Sequence, residues 1–121
     1  MRILAIDYGK KKCGIAISDR ERKIAIPYGI VKSENLLEEI KKIVKEKNVG
    51  KILIGLPLSL SGKEIELTKE VYKLKSEIEK ELNIQVTLLD ERMTSKLYNK
   101  SENIDDLSAA ILLEDYLKMS L

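Results

Sequence analysis

The chain has 121 residues, enough for one domain with a substantial core and too few for two. Its 22 basic residues against 20 acidic ones leave a net charge of +2, so no global field announces a polyanionic partner and any basic patch must be local. One cysteine, Cys13, excludes an internal disulfide and a multi-cysteine zinc site, and the absence of histidine removes the Ser-His-Asp triad, the Cys-His pair, His-ligated zinc and imidazole acid-base chemistry.

Ile3, Leu4, Ala5 and Ile6 form an apolar run of the kind covered on both faces, a central strand, and Asp7 falls at its C-terminal end, where open α/β sheets place ligands. Gly9 and Gly14 flank a tight connection to a second strand, residues 13–18, which returns as a hairpin partner. A loop with Arg20, Arg22 and Lys23 leads to a third strand, residues 24–31. There Pro27 withholds a ladder donor and marks an edge. Asn35 reads as the cap of a first helix with Leu36, Leu37, Ile40, Ile43 and Val44 at helical spacing, ending near Asn48 and Gly50. Residues 51–55 form a fourth, buried strand, followed by a loop, residues 56–62, that contains Pro57 and ends at Gly62. A long second helix carries the stripe Leu67, Val71, Leu74, Ile78 and Leu82. The fifth strand, residues 85–89, stops at Asp90 and Glu91. A last helix begins near Asp105 and Asp106, acids being favoured at helix starts, and carries Leu107, Ala110, Ile111, Glu114 and Leu117 on neighbouring turns. No signal peptide or membrane span is visible, the longest strictly apolar stretch being residues 109–113. With the lone cysteine, this points to a cytoplasmic protein.

Crossovers through helices demand parallel neighbours, so the expected fold class is α/β: a mixed five-stranded sheet, three antiparallel strands then two parallel, flanked by helices. A central first strand beside the fourth gathers Asp7, Asp90 with Glu91, and Asp105 with Asp106 at one edge. Converging carboxylates repel one another unless a cation neutralises them, which points to a Mg²⁺ or Mn²⁺ site able to activate water against a phosphodiester. Taken singly, each acid has an innocent role: a turn former for Asp7, a strand end for Asp90, a helix cap for Asp105. Lys10, Lys11 and Lys12, beside Asp7, are either a phosphate-steering patch or solvated surface. The loop of residues 55–62 either offers backbone amides to a phosphate or is a plain strand-to-helix turn.

Four segments in this order resemble the YqgF/RuvX family, nearly end to end: Asp7-Tyr8-Gly9 with Gly14 and Ala16; Gly55-Leu56-Pro57-Leu58 with Gly62; Asp90-Glu91-Arg92-Met93-Thr94; and Ile104-Asp105 with Ala109 and Ile111-Leu112-Leu113. That family is associated with Holliday junction resolution and with maturing the 5′ end of pre-16S rRNA, on an RNase H-like fold. The resemblance implies Asp7, Glu91 and Asp105 as the catalytic, metal-binding acids and Mg²⁺ or Mn²⁺ as cofactor. It also implies Lys12, Arg92 and Thr94 as substrate-binding residues and products with a 5′-phosphate and a 3′-hydroxyl. Successive strand residues point to opposite faces, so only one of Asp90 and Glu91 joins the cluster; Glu91 is the choice and Asp90 the reserve. Two departures stand out. Lys12 replaces the family's usual arginine, keeping the charge and losing bidentate phosphate recognition. The stretch between Thr94 and Asp105 is about a dozen residues shorter than in the family, within the range over which such connections vary.

The expectation is a single RNase H-like nuclease domain over residues 1–121, a hydrolase acting on pre-rRNA in ribosome biogenesis, without a membrane and as a monomer or homodimer. Cleavage of four-way DNA is the nearest rival and requires a symmetric dimer. An actin-like ATPase shares Asp-x-Gly at the end of a first strand but needs two such domains. A non-catalytic pre-rRNA-binding assembly module is the third.

Overall fold

The computed structural model describes residues 1–59, 61–90 and 106–119. Along the chain run β1 (Arg2–Asp7), β2 (Lys12–Ser18), β3 (Ala25–Lys32), a 3₁₀ turn (Ser33–Asn35), α1 (Leu36–Lys47), β4 (Val49–Leu56), α2 (Glu66–Leu82), β5 (Val86–Asp90) and α3 (Asp106–Met119). The strands pair in the order β3-β2-β1-β4-β5, which is the expected mixed sheet with the first strand at its centre and the Pro27 strand at an edge. β1 is antiparallel to β2, with Asp7 opposite Gly14, and parallel to β4, with Ile6 beside Ile54. β5 continues the parallel half, with Leu56 beside Asp90.

Alternation along the strands divides the core in two. Leu4, Ile6, Ile15, Ile52 and Ile54 face α1 and α2, meeting Ile40 and Ile43 from the first and Val71, Leu74 and Ile78 from the second. Ile3, Ala5, Ala16, Leu53 and Leu89 face the opposite way and pack under Ala109, Leu112, Leu113 and Leu117 of α3. Burial on both faces explains why β1 reads as an unbroken apolar run.

Two local expectations are revised. Asn35 stands at the N-cap of α1, but its side chain makes no capping bond; the Leu36 N–H donates to the Ser33 carbonyl instead, closing the 3₁₀ turn. In α3 Ala110 and Leu117 are buried as expected, but the buried face also takes in Ser108, Ala109, Leu112 and Leu113, while Leu107 is 57% exposed and Glu114 is exposed. The stretch from 107 to 113 is apolar almost throughout, so its periodicity does not select a face. The small side chains of Ser108 and Ala109 let the helix lie close on the sheet.

Candidate active site

Asp7 ends the central strand and is fully buried. Its parity with Ile3 and Ala5 puts it on the α3 face, at the edge of the sheet where β1, β4 and β5 all finish. The position across from it on β2 is Gly14, and Gly55 follows the Ile54 partner of Ile6 on β4. Neither neighbouring strand therefore sets a side chain beside the carboxylate. Asp90, half-buried, shares parity with Val86 and Leu88 and so belongs to the α1 and α2 face, opposite to Asp7.

The turn after Asp7 is tied down from a distance. The Ser33 hydroxyl donates to the Gly9 carbonyl at 2.6 Å, and the Ser33 N–H donates to the Lys11 carbonyl at 2.9 Å. The Cys13 thiol lies in the same knot, 3.8 Å from the Gly9 carbonyl oxygen and 3.4 Å from Ser33 Oγ. Burial pushes this thiol above its ordinary pKa, against the opposing pull of its bonds to Ser33 and Gly9, so it stays a neutral thiol. Lys10, Lys11 and Lys12 are exposed on the turn that this knot fixes. Tyr8 faces the other way, its hydroxyl donating to Glu70 Oε1 of α2 at 3.1 Å.

The loop entering α2 folds back on itself. Ser59 N–H donates to the Lys63 carbonyl and Gly62 N–H to the Ser59 carbonyl, each at 2.9 Å, and Lys63 N–H donates to Ser59 Oγ at 3.0 Å. Gly62 adopts φ 86°, the left-handed conformation that glycine enters without strain. The buried Thr68 hydroxyl donates to the Pro57 carbonyl and its oxygen accepts the Ile65 N–H. Within the loop of residues 55–62, the amides of Ser59 and Gly62 are thus spent on the strand-to-helix turn itself.

Of the expected site residues, the structure thus positions Asp7 and Lys12; Glu91, Arg92, Thr94 and Asp105 lie outside the described residues. Among the described residues no three acids or cysteines come together as a metal-binding group. The donor chemistry around Asp7 nonetheless fits a hard cation. Its carboxylate oxygens are the ligands Mg²⁺ and Mn²⁺ prefer, the chain has no histidine, and the one cysteine packs on the opposite face. Ser33 escaped the sequence reading because its role depends on the register between β2 and β3, which no local signal reveals.

Comparisons with known proteins identify the chain's relatives. A protein of Sulfurihydrogenibium sp. (strain YO3AOP1) named "Putative pre-16S rRNA nuclease" is 40% identical over 131 positions, covering 96% of this chain and 89% of that protein. One of the same name from Maridesulfovibrio salexigens is 33% identical over 132 positions, covering 97% of this chain and 98% of that protein. Both alignments are longer than the 121-residue chain, so these relatives carry residues that it lacks. Thermus thermophilus RuvC superposes with a TM-score of 0.68 at 11% identity, covering 99% of this chain and 96% of that one. RuvC in complex with a Holliday junction substrate gives 0.64 at 10% identity, covering 99% and 95%. These likenesses establish the RNase H-like fold. The family model described as "RuvX: Holliday junction resolvase" matches residues 1–119, and with relatives this similar along nearly the whole chain, the protein belongs to the RuvX family.

Proposed function

We propose that the chain is a single metal-dependent nuclease domain that hydrolyses phosphodiester bonds in pre-16S rRNA, maturing its 5′ end in the cytoplasm. The observation that carries this reading is the fully buried Asp7 at the carboxyl end of the central strand, between two glycine-bearing neighbours. Asp7, Glu91 and Asp105 would hold Mg²⁺ or Mn²⁺. The parity that sends Asp90 to the opposite face favours Glu91 as the second ligand. The chemistry that such a cation would supply when bound is a lowered pKa for the attacking water and neutralisation of charge on the scissile phosphate. The chain's own part is positioning: Asp7 fixes the locus of reaction on a rigid strand, and Lys12, Arg92 and Thr94 hold the substrate backbone so that water attacks in line with the departing 3′ oxygen. The products are a 5′-phosphate and a 3′-hydroxyl.

The test compares wild type with Asp7→Asn on an RNA spanning the mature 5′ end of 16S rRNA, with Mg²⁺, with Mn²⁺ and with EDTA. Wild type should cut only with metal. Partners of metal ligands are worth about 10–100-fold, so loss of a ligand itself should cost at least about a hundredfold. Circular dichroism should show the variant folded, and calorimetric Mn²⁺ binding should weaken in step with activity. Equal cutting by both proteins, or none by either, would sink the proposal.

A second reading, cleavage of four-way DNA, is favoured by the description of the matching family model. A four-way junction run in the same assay decides between the substrates, since symmetric cleavage requires two copies of the site.

A further inference from the structure

Lys12 and Lys32 stand directly opposite each other at the end of the β2–β3 ladder. The Ser33 N–H to Lys11 carbonyl bond makes the adjoining residues the hydrogen-bonded couple, so the two lysines form a non-hydrogen-bonded pair, the geometry in which side chains approach most closely. Like charges placed this way destabilise a sheet. Both residues are exposed, and among the described residues neither joins an ion pair that would offset the repulsion.

The alternation fixes where the pair points. Cys13 and Val31, next to each lysine in sequence, pack on the α1 and α2 face, so Lys12 and Lys32 project on the other, the face of Asp7. One step back along the same face lie Ile30 and Gly14, and Gly14 is the partner of Asp7. Ile30 is 50% exposed, so the approach across β3 stays open. The Ser33 bonds to Gly9 and Lys11 pin the end of β3 to the turn that follows Asp7, holding Lys32 in a fixed relation to the carboxylate although it is distant in sequence.

We infer that Lys12 and Lys32 form a phosphate clamp on the Asp7 face of the sheet, with Lys32 a positioning residue that holds the backbone of a bound nucleic-acid strand beside Asp7. The clamp rests on the nuclease reading and adds to it a residue outside every segment that carries the family resemblance. A pair that is repulsive in the free protein is relieved by a phosphodiester lying between the two ammonium groups, which also releases counterions from the polyanion.

Fluorescence anisotropy with the labelled 16S 5′-end RNA, in EDTA so that nothing is cut, tests this by salt titration. Lys32→Ala and Lys12→Ala should each reduce the slope of log K against log salt by about 0.7–0.9, and the double variant by about twice that. Lys45→Ala, an exposed lysine of α1, should leave the slope unchanged. Thermal melts supply a readout that a structural role would move the other way: Lys32→Ala should melt no lower than wild type, because a like-charge contact has been removed. A wild-type slope in Lys32→Ala, or weaker binding that only tracks a lower melting temperature, overturns the clamp while leaving the nuclease reading intact. Failure of the wild type to bind either this RNA or a four-way DNA junction overturns both.

Discussion

Tyr8 follows Asp7 directly yet works on the opposite face of the sheet, where its hydroxyl bonds Glu70. Burial, and then that bond, raise its pKa from 10.0 to about 12. Only the neutral phenol donates to the carboxylate, and in the unfolded chain the phenol ionises first. The stability this contact contributes is therefore fully present below pH 10 and is lost as pH rises through about 12. Urea midpoints of wild type should fall across that window, and those of Tyr8→Phe should fall less. An equally steep decline in both would detach Tyr8 from the alkaline limb. Adjacent residues are thus sent to separate faces by strand alternation alone: Asp7 to the face of the proposed site, Tyr8 to the face where it anchors α2.

At the scale of elements, the entry to α2 depends on one buried hydroxyl. Thr68→Val keeps the side-chain shape but strands the Pro57 carbonyl and the Ile65 N–H, so it should destabilise the protein by about 1–3 kcal/mol in urea denaturation. Thr68→Ser should recover most of the loss, and equal effects would show that methyl packing matters more than the bonds. Sheet order and strand direction were legible in the sequence because β1 and β4 are apolar runs joined through helices, and Pro27 marks the edge. The end of α1 was legible too, at Asn48 in left-handed conformation, whereas the end of α2 at Asn83, in the same conformation, was not foreseen. The face of α3 was legible only in part: Ala110 and Leu117 are buried as expected, but a nearly continuous apolar segment has no periodicity to turn Leu107 outward and Leu112 and Leu113 inward.

For the whole molecule, the sheet separates a thick side, built by two helices, from the side of α3, where Asp7 lies. Asp7 was legible because its position depends only on the run before it. Lys32 was not, because placing it beside Lys12 requires a β2–β3 register that shifts between Ile15 and Ala16. Glu91, Arg92, Thr94 and Asp105 rest on family resemblance and remain part of the proposal. No described helix is long and apolar enough to cross a membrane. The knot of Gly9, Cys13 and Ser33 has one more consequence. Cys13 is the only thiol in the chain and is wholly buried where the ends of three strands meet, so its alkylation requires that corner to open. Its labelling rate, followed by mass spectrometry without any engineered probe, measures the free energy of that local opening separately from global unfolding. Bound RNA that bridges Lys12 and Lys32 should slow the labelling, whereas a ligand held elsewhere would leave the rate unchanged, which makes the cysteine a native reporter of occupancy.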